Sequence, residues 1–415
     1  MFLSKKYFGL TMATTLSISL LVYACGGGGG SSSSGNTGTT GSKAASTSTT
    51  ATQAALQVTS IGLNTGLSGL SSKPLISSKG SFGGRAKVLR DVFSAKTNRK
   101  ILRALGTTTT KCDSGSGSET IAYPAGTHTF TITRTATNCV ITLPQGLGST
   151  VEDGTLVVTE VDNNYNGTDP STDPNSATPN DLGDPAWHPT SKSVASDNGY
   201  TFTLKDANGN ITEKFKLTGT DTVSFTLDGN QKPTSGTLNA NMSLEVQSNN
   251  GTPNTTSDDT HVIFTLTNAA GTGNFSDSMT FDAWDSENHP THIIDTISDG
   301  KIVIDDQIDN SNDVSVTFTN FGIDETITTN SGVDTDTIKI SGQLSTACLG
   351  GAVTIATTTP VVVVGDACPT AGVITATDSA SKVTTITFTS SGGVDIANPD
   401  GTTQHFAKCD DAKAC

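Results

Sequence analysis

A mainly β protein, laid out as a large antiparallel meander with one or two N-terminal helices, is the fold this sequence predicts. Three observations predict it. From about residue 119 onward apolar residues alternate with polar ones at a period of two, segment after segment. Thr and Ser fill most of the polar positions, and a β-branched Thr suits a pleated surface while leaving its hydroxyl to water. Asn-Gly and Asp-Gly pairs punctuate the runs, and these favour the positive φ that tight hairpins require.

The chain begins differently. Lys5 and Lys6 precede a mostly apolar run from Phe8 to Tyr23, too short and too interrupted by Thr and Ser to be a permanent membrane span. The run ends in Leu21-Val22-Tyr23-Ala24-Cys25, and Gly26 to Gly30 and Ser31 to Ser34 follow at once. Such a tract is a flexible tether with no means of forming a core. The first 35 or so residues resemble the lipobox signal peptide of bacterial lipoproteins. That resemblance implies cleavage before Cys25 and a lipidated sulfur there, carrying acyl chains such as palmitate. Gly26, rather than Asp, after the cysteine implies sorting to the outer membrane. One chain would hold weakly, whereas three hold firmly. Tyr23 is bulkier than the family usually places there, and the alternative is an ordinary signal peptide that happens to contain a cysteine. The expected organisation is therefore a signal peptide over 1–24, a lipidated cysteine and Gly/Ser/Thr tether over 25–51, a helical basic segment over 52–106, the β body over 107–344, and a disulfide-bearing β unit over 345–415.

Charge divides the chain. The net charge of −15 conceals eleven Lys and Arg against Asp91 alone in residues 26–111, followed by eleven basic and 38 acidic residues in 112–415. The basic stretch is densest over 85–105, where Val88, Leu89, Val92, Phe93, Ile101, Leu102 and Leu105 recur at helical spacing. Gly83, Gly84 and Gly106 punctuate this helix, and a weaker helical segment is expected over 54–70, interrupted by Gly62, Gly66 and Gly69. Two roles are open to the basic helix. It could lie on anionic headgroups or polysaccharide, or pack its apolar stripe on the acidic body. The acidic body would repel phosphate and no recognition motif is present, which argues against nucleic acid as a partner.

Within the body, Leu238, Ala240, Met242, Leu244 and Val246 give the clearest alternation, with shorter examples at Phe130/Ile132, Val223/Phe225/Leu227, Val262/Phe264/Leu266 and Val314/Val316/Phe318. Strands buried on one face are what antiparallel sheets permit. Turns are expected at 206–210, 228–230, 298–300 and 398–401, separating about 15 strands. Aromatics make up 5% of the chain, too few for the girdles of a membrane barrel. A curved sheet or half-open barrel and tandem sandwiches both remain open.

Removing Cys25 from seven cysteines leaves Cys112, Cys139, Cys348, Cys368, Cys409 and Cys415, an even set that reads as disulfides in an exported chain. Of the fifteen connectivities the sequential one, 112–139, 348–368 and 409–415, is favoured. A zinc site made by the last four is the alternative.

Three clusters could hold metal. Asp162-Asn-Asn164-Tyr-Asn166-Gly167, with Asp169 and Asp173 beyond, resembles a bare EF-hand loop, in which alternate oxygen ligands surround calcium. Here Asp173 stands where that family places a bidentate Glu, and no flanking helices are expected, so a polar surface loop is the competing reading. Asp305, Asp306, Asp309 and Asp313 form a second acidic group that reads first as a solvated loop. His289 and His292, near Asp285 and Glu287, are expected in a loop because Pro290 lies between them.

No G-x-S-x-G, P-loop or H-E-x-x-H is present. The expectation is a non-catalytic envelope lipoprotein that binds, adheres or serves as a scaffold, with the outer membrane as one partner and an envelope protein or polysaccharide as another. The alternatives are a carrier of lipid or another apolar ligand in a half-open barrel and a metal-dependent hydrolase of envelope polymer.

Overall fold

The computed structural model describes residues 106–124, 126–143, 148–165, 190–230, 232–249, 260–284, 290–308, 314–330, 333–346, 351–364 and 368–409. Cys25, the tether and both expected N-terminal helices lie outside these residues. The described chain is mainly β, and it divides into two compact units at Leu266 and Thr267, with 306–308 belonging to the first.

The first unit holds β1 (Gly106–Thr110), β2 (Ser114–Ala122), β3 (Thr129–Thr142), β4 (Ser149–Val161), β5 (Ser191–Lys205), β6 (Ile211–Leu227), β7 (Pro233–Ser248) and β8 (Thr260–Thr267). Each pairs antiparallel with the next. The second holds β9 (Phe275–Trp284), β10 (Pro290–Asp306), β11 (Val314–Asn330), β12 (Val333–Thr346), β13 (Gly351–Val364), β14 (Ala371–Thr377), β15 (Val383–Phe388), β16 (Val394–Ala397) and β17 (Thr403–Phe406), again in meander order. Between β12 and β13, where the sequence suggests a boundary, the ladder runs on with Leu344 opposite Val353.

The period-two pattern sorts side chains as expected. Leu238, Ala240 and Met242 are buried on β7, as are Val262, Phe264 and Leu266 on β8 and Val316 and Phe318 on β11. In the second unit Phe318 meets Phe321 edge to face with ring centroids 5.2 Å apart, and Ile338, Ile340, Leu344, Ile355 and Ile374 are fully buried as well.

Strands of 13 to 17 residues exceed the usual five or six, and such ribbons twist and slip register unless bulges absorb the mismatch. At one slip, Ile338 pairs with Val361 but Ser341 pairs with Ala356. The lost ladder partner of Ile340 is replaced by a side chain: Thr357 Oγ1 accepts from Ile340 N at 2.7 Å and donates to Ile340 O at 3.1 Å. Gly342, two residues on, sits at φ +113°, and a Cβ there would stand 2.2 Å from Asn320 O.

Three expected turns are present in kind. In 206–210, Asp206 N donates to Asn210 O while Asp206 Oδ1 accepts from Asn208 N and Asn210 N, and Gly209 takes φ +85°. The turns starting at Asp228 and Asn398 close in the same way onto Lys232 and Thr402. The fourth expectation fails. Ser298-Asp299-Gly300 lies in the middle of β10, with Asp299 opposite Thr319 and Gly300 opposite Phe318. Its glycine serves close packing instead, since a Cβ there would lie 2.5 Å from the Phe275 ring.

Cys112 and Cys139 are bonded, as favoured from the sequence, with Cα atoms 5.3 Å apart. The other favoured pairings are overturned: Cys368 bonds Cys409, Cα to Cα 5.8 Å, so neither 348–368 nor 409–415 forms. The meander explains this. Gly392, in the β15–β16 connection, accepts a hydrogen bond from Cys409 N and lies against the Cys368 side chain, so the chain after β17 returns to the β13–β14 connection. Cys348 and Cys415 lie outside the described residues.

Candidate functional site

Among the described residues, those nominated from the sequence are not gathered into one site. Asp162 is buried at 1% exposure and uses its Oδ1 to accept from Asn164 N at 2.9 Å, closing its own turn. Asn163 N donates to Thr190 Oγ1 and Tyr165 stacks edge-on against His128. Asn166, Asp169 and Asp173 lie outside the described residues. Asp306 similarly caps its own turn through Ile308 N, while Asp309 and Asp313 are not described. Among the described residues no group of three or more His, Cys, Asp or Glu side chains is arranged to hold a metal ion.

His292 is the informative case. The expectation of a loop is corrected for His292: Pro290 opens β10, the strand position where a missing N–H is tolerated, and His292 stands in the strand opposite Thr326 of β11, with register shifts on its β9 side. Its Nδ1 contacts Asp282 Oδ1 on β9, and its Nε2 lies 3.0 Å from Asp324 Oδ1 on β11. Asp324 Oδ2 then accepts from Lys339 Nζ on β12 at 3.0 Å. Ionised carboxylates only accept, so both contacts are hydrogen bonds only when the ring carries both protons. The Asp324 bond, and then the Asp282 bond, accordingly raise the His292 pKa. Burial works against ionisation of Asp324, but His292 and Lys339 outweigh it and lower its pKa. With both nitrogens engaged, this imidazole has no lone pair to offer a metal. It bridges strands.

The opposite face of the same four strands carries a second lattice, which the sequence reading missed. Asp277 on β9, Asp295 on β10, Glu325 on β11 and Asp336 on β12 share the buried face with Met279, Ile293, Ile297, Ile323 and Ile338. Register places each acid diagonal to the next. Asp277 is opposite Ile297, two residues from Asp295, which is opposite Ile323, two residues from Glu325. Glu325 is opposite Ile338, two residues from Asp336. Diagonal neighbours are about 7–8 Å apart at Cα, within reach of one another's long side chains.

Asp277 and Asp295 hydrogen-bond side chain to side chain, and the Oδ1 atom of each is shut from solvent with no hydrogen-bond partner among the described residues. Burial, then the Asp295 charge, pushes the Asp277 pKa well above the carboxylate range, and burial likewise raises that of Asp295. Glu325, 3% exposed, is pushed up to about 8 by burial and by the carboxyls of Asp336 and Asp295. Among the described residues no cation is a cause of these three shifts. A signal for them was present: each interrupts an apolar phase, as in Phe275-Ser-Asp277-Ser-Met279 and Ile293-Ile-Asp295-Thr-Ile297. An acid in the inward phase of a strand is the pattern to look for.

The first unit buries acids with partners. Glu152, 1% exposed, accepts from Arg134 Nε at 2.6 Å and from Tyr200 Oη at 2.9 Å. Lys192 donates to Glu160 at 2.8 Å, and Lys214 and His261 both reach Glu245. Burial, followed by the Glu152 charge, drives the Tyr200 phenol upward.

No protein-family model matches the chain, and no curated protein is similar to it.

Proposed function

We propose that the chain is an envelope-anchored bacterial lipoprotein. Its β body acts by binding or scaffolding at the outer membrane and not by turnover. The single observation that carries this reading is Leu21-Val22-Tyr23-Ala24-Cys25, joined directly to Gly26–Gly30 and Ser31–Ser34. A thiol after a small residue at the end of a short apolar run is a substrate for lipidation, and the tether would let a folded body stand off the bilayer. The long strands with Thr-rich outer faces support the non-catalytic role, since they offer extended repeated surfaces of hydroxyl groups. The partner would be an envelope protein or polysaccharide.

Labelled palmitate supplied to cells making the chain tests the anchor. The label is expected on the mature protein and to vanish with Cys25→Ser, which should move the body from the membrane fraction to the soluble one. Absence of label on the wild-type chain, or an unchanged distribution of Cys25→Ser, overturns the reading. Turnover of an envelope polymer by the purified protein would overturn its non-catalytic part.

A further inference from the structure

We propose that the β9–β12 ribbon is a pH-responsive element, closed in mild acid by proton sharing on its buried face and by an imidazolium bridge on its outer face, and loosened when the surroundings turn alkaline. Two independent arrangements on the same four strands carry it. On the buried face, the Asp277 and Asp295 carboxyls can hydrogen-bond to each other only while one of them keeps a proton, and their shielded Oδ1 atoms have no other donor. On the outer face, His292 spans Asp282 and Asp324 only while both ring nitrogens are protonated.

Among the described residues, the groups around these carboxyls offer no substitute for the proton. The buried face of β9 adds Phe275, Met279 and Phe281, and that of β10 adds Ile293 and Ile297. On β11 come Phe321, Ile323 and Glu325, and on β12 Asp336, Ile338 and Ile340. β13, the next strand, contains no titratable residue at all. On the outer face Asp282 contacts His292, His292 contacts Asp324 and Asp324 contacts Lys339, and Asp299 accepts from Ala269 N.

The signs on the two faces agree. An acid whose folded pKa is raised stabilises the fold fully below its unfolded value and loses that contribution as pH climbs through the folded value. For Glu325 that window runs from 4.5 to about 8. His292, also raised, loses its second hydrogen bond as pH climbs from 6.5 through its folded value. As pH rises, one proton leaves the Asp277–Asp295 pair, one leaves Glu325 and one leaves His292, each taken up by solvent. What remains is a diagonal of like charges in a low-dielectric interior. Asp324, lowered, sets the acid limit, since it loses its partners when it is protonated.

The test uses the full chain in detergent, melted across about pH 5 to pH 9, with infrared spectra of the carboxyl stretch at each pH. The Tm is expected to fall by roughly 5 °C or more from the acid to the alkaline end. A protonated-carboxyl band, visible at about pH 6 where exposed acids are ionised, is expected to fade over the same range. The double variant Asp295→Asn, Glu325→Gln is expected to lose most of the Tm slope. A flat wild-type Tm overturns the proposal, as does a folded double variant that keeps the slope. If that variant does not fold, the wild-type spectrum decides alone, and the absence of the band at about pH 6 overturns the proposal.

Discussion

Glu152 in the first unit sits 1% exposed with the Arg134 guanidinium against one oxygen and the Tyr200 hydroxyl on the same atom. In the second unit, Asp277 is buried and Asp295 half-buried, each with its Oδ1 shut from solvent and with the other for company. Both solve the problem that a buried charge is costly unless compensated. The first solution imports a countercharge, the Arg134 guanidinium. The second keeps a proton, and so makes the stability of its strands depend on the proton supply. The difference lies in what each neighbouring strand places on the buried face: Arg134 on β3 and Lys192 on β5 in one unit, aliphatic residues and further acids in the other.

The comparison can be broken most severely at Arg134. Arg134→Met strands the Glu152 carboxylate, and unfolding measurements should show the first unit losing about 3–5 kcal/mol at neutral pH. A loss under about 1 kcal/mol would mean that the pair is solvated enough to be dispensable. Next come the disulfides, one among the described residues of each unit. Replacing Cys112 and Cys139, or Cys368 and Cys409, by Ser should cost about 2–4 kcal/mol of stability in denaturant titrations, by opening loops of 27 and 41 residues. For the second pair this cost should be the same at every pH, leaving the slope of its unit intact. A slope that disappears would shift the pH response from the carboxyls to the cross-link.

Smaller, and opposite in sign, is Asp295→Asn. It should stabilise the second unit by on the order of 1–3 kcal/mol near pH 8 and change little near pH 5, as read from the pH dependence of Tm. Destabilisation at pH 8 would show that the carboxyl is ionised and has a partner that satisfies it. The smallest effect is expected at the half-buried trio on β6 to β8, where burial is outweighed by Lys214 and His261 and the Glu245 pKa is lowered. Lys214→Ala should cost only about 0.2–1 kcal/mol, and less in high salt.

The strands were legible because their signal is local. Leu238, Ala240 and Met242 alternate with polar residues whatever lies across the sheet, and Asp206 with Gly209 closes a turn using its own backbone. Ser298-Asp299-Gly300 misled because a glycine needed for Phe275 to approach carries the same letters as a glycine needed for a turn. Pro290 misled in the same way: at the first position of a strand it does no harm. The disulfide of Cys368 with Cys409 was out of reach for a different reason. It depends on which connection faces the returning chain, and spacing does not encode that.

What the sequence determined by itself, then, is whatever one strand or one turn can specify alone: the β class, the inward phase of each run, and the turns that open on Asp or Asn. Tertiary structure decided which charges meet. Asp277, Asp295, Glu325 and Asp336 are spread over some sixty residues of chain, and only the register of β9 to β12 puts them on one diagonal. Register is set by the whole ladder, through the summed fit of its buried side chains. The protonation state of each acid is therefore a property of the assembled sheet and of no single segment.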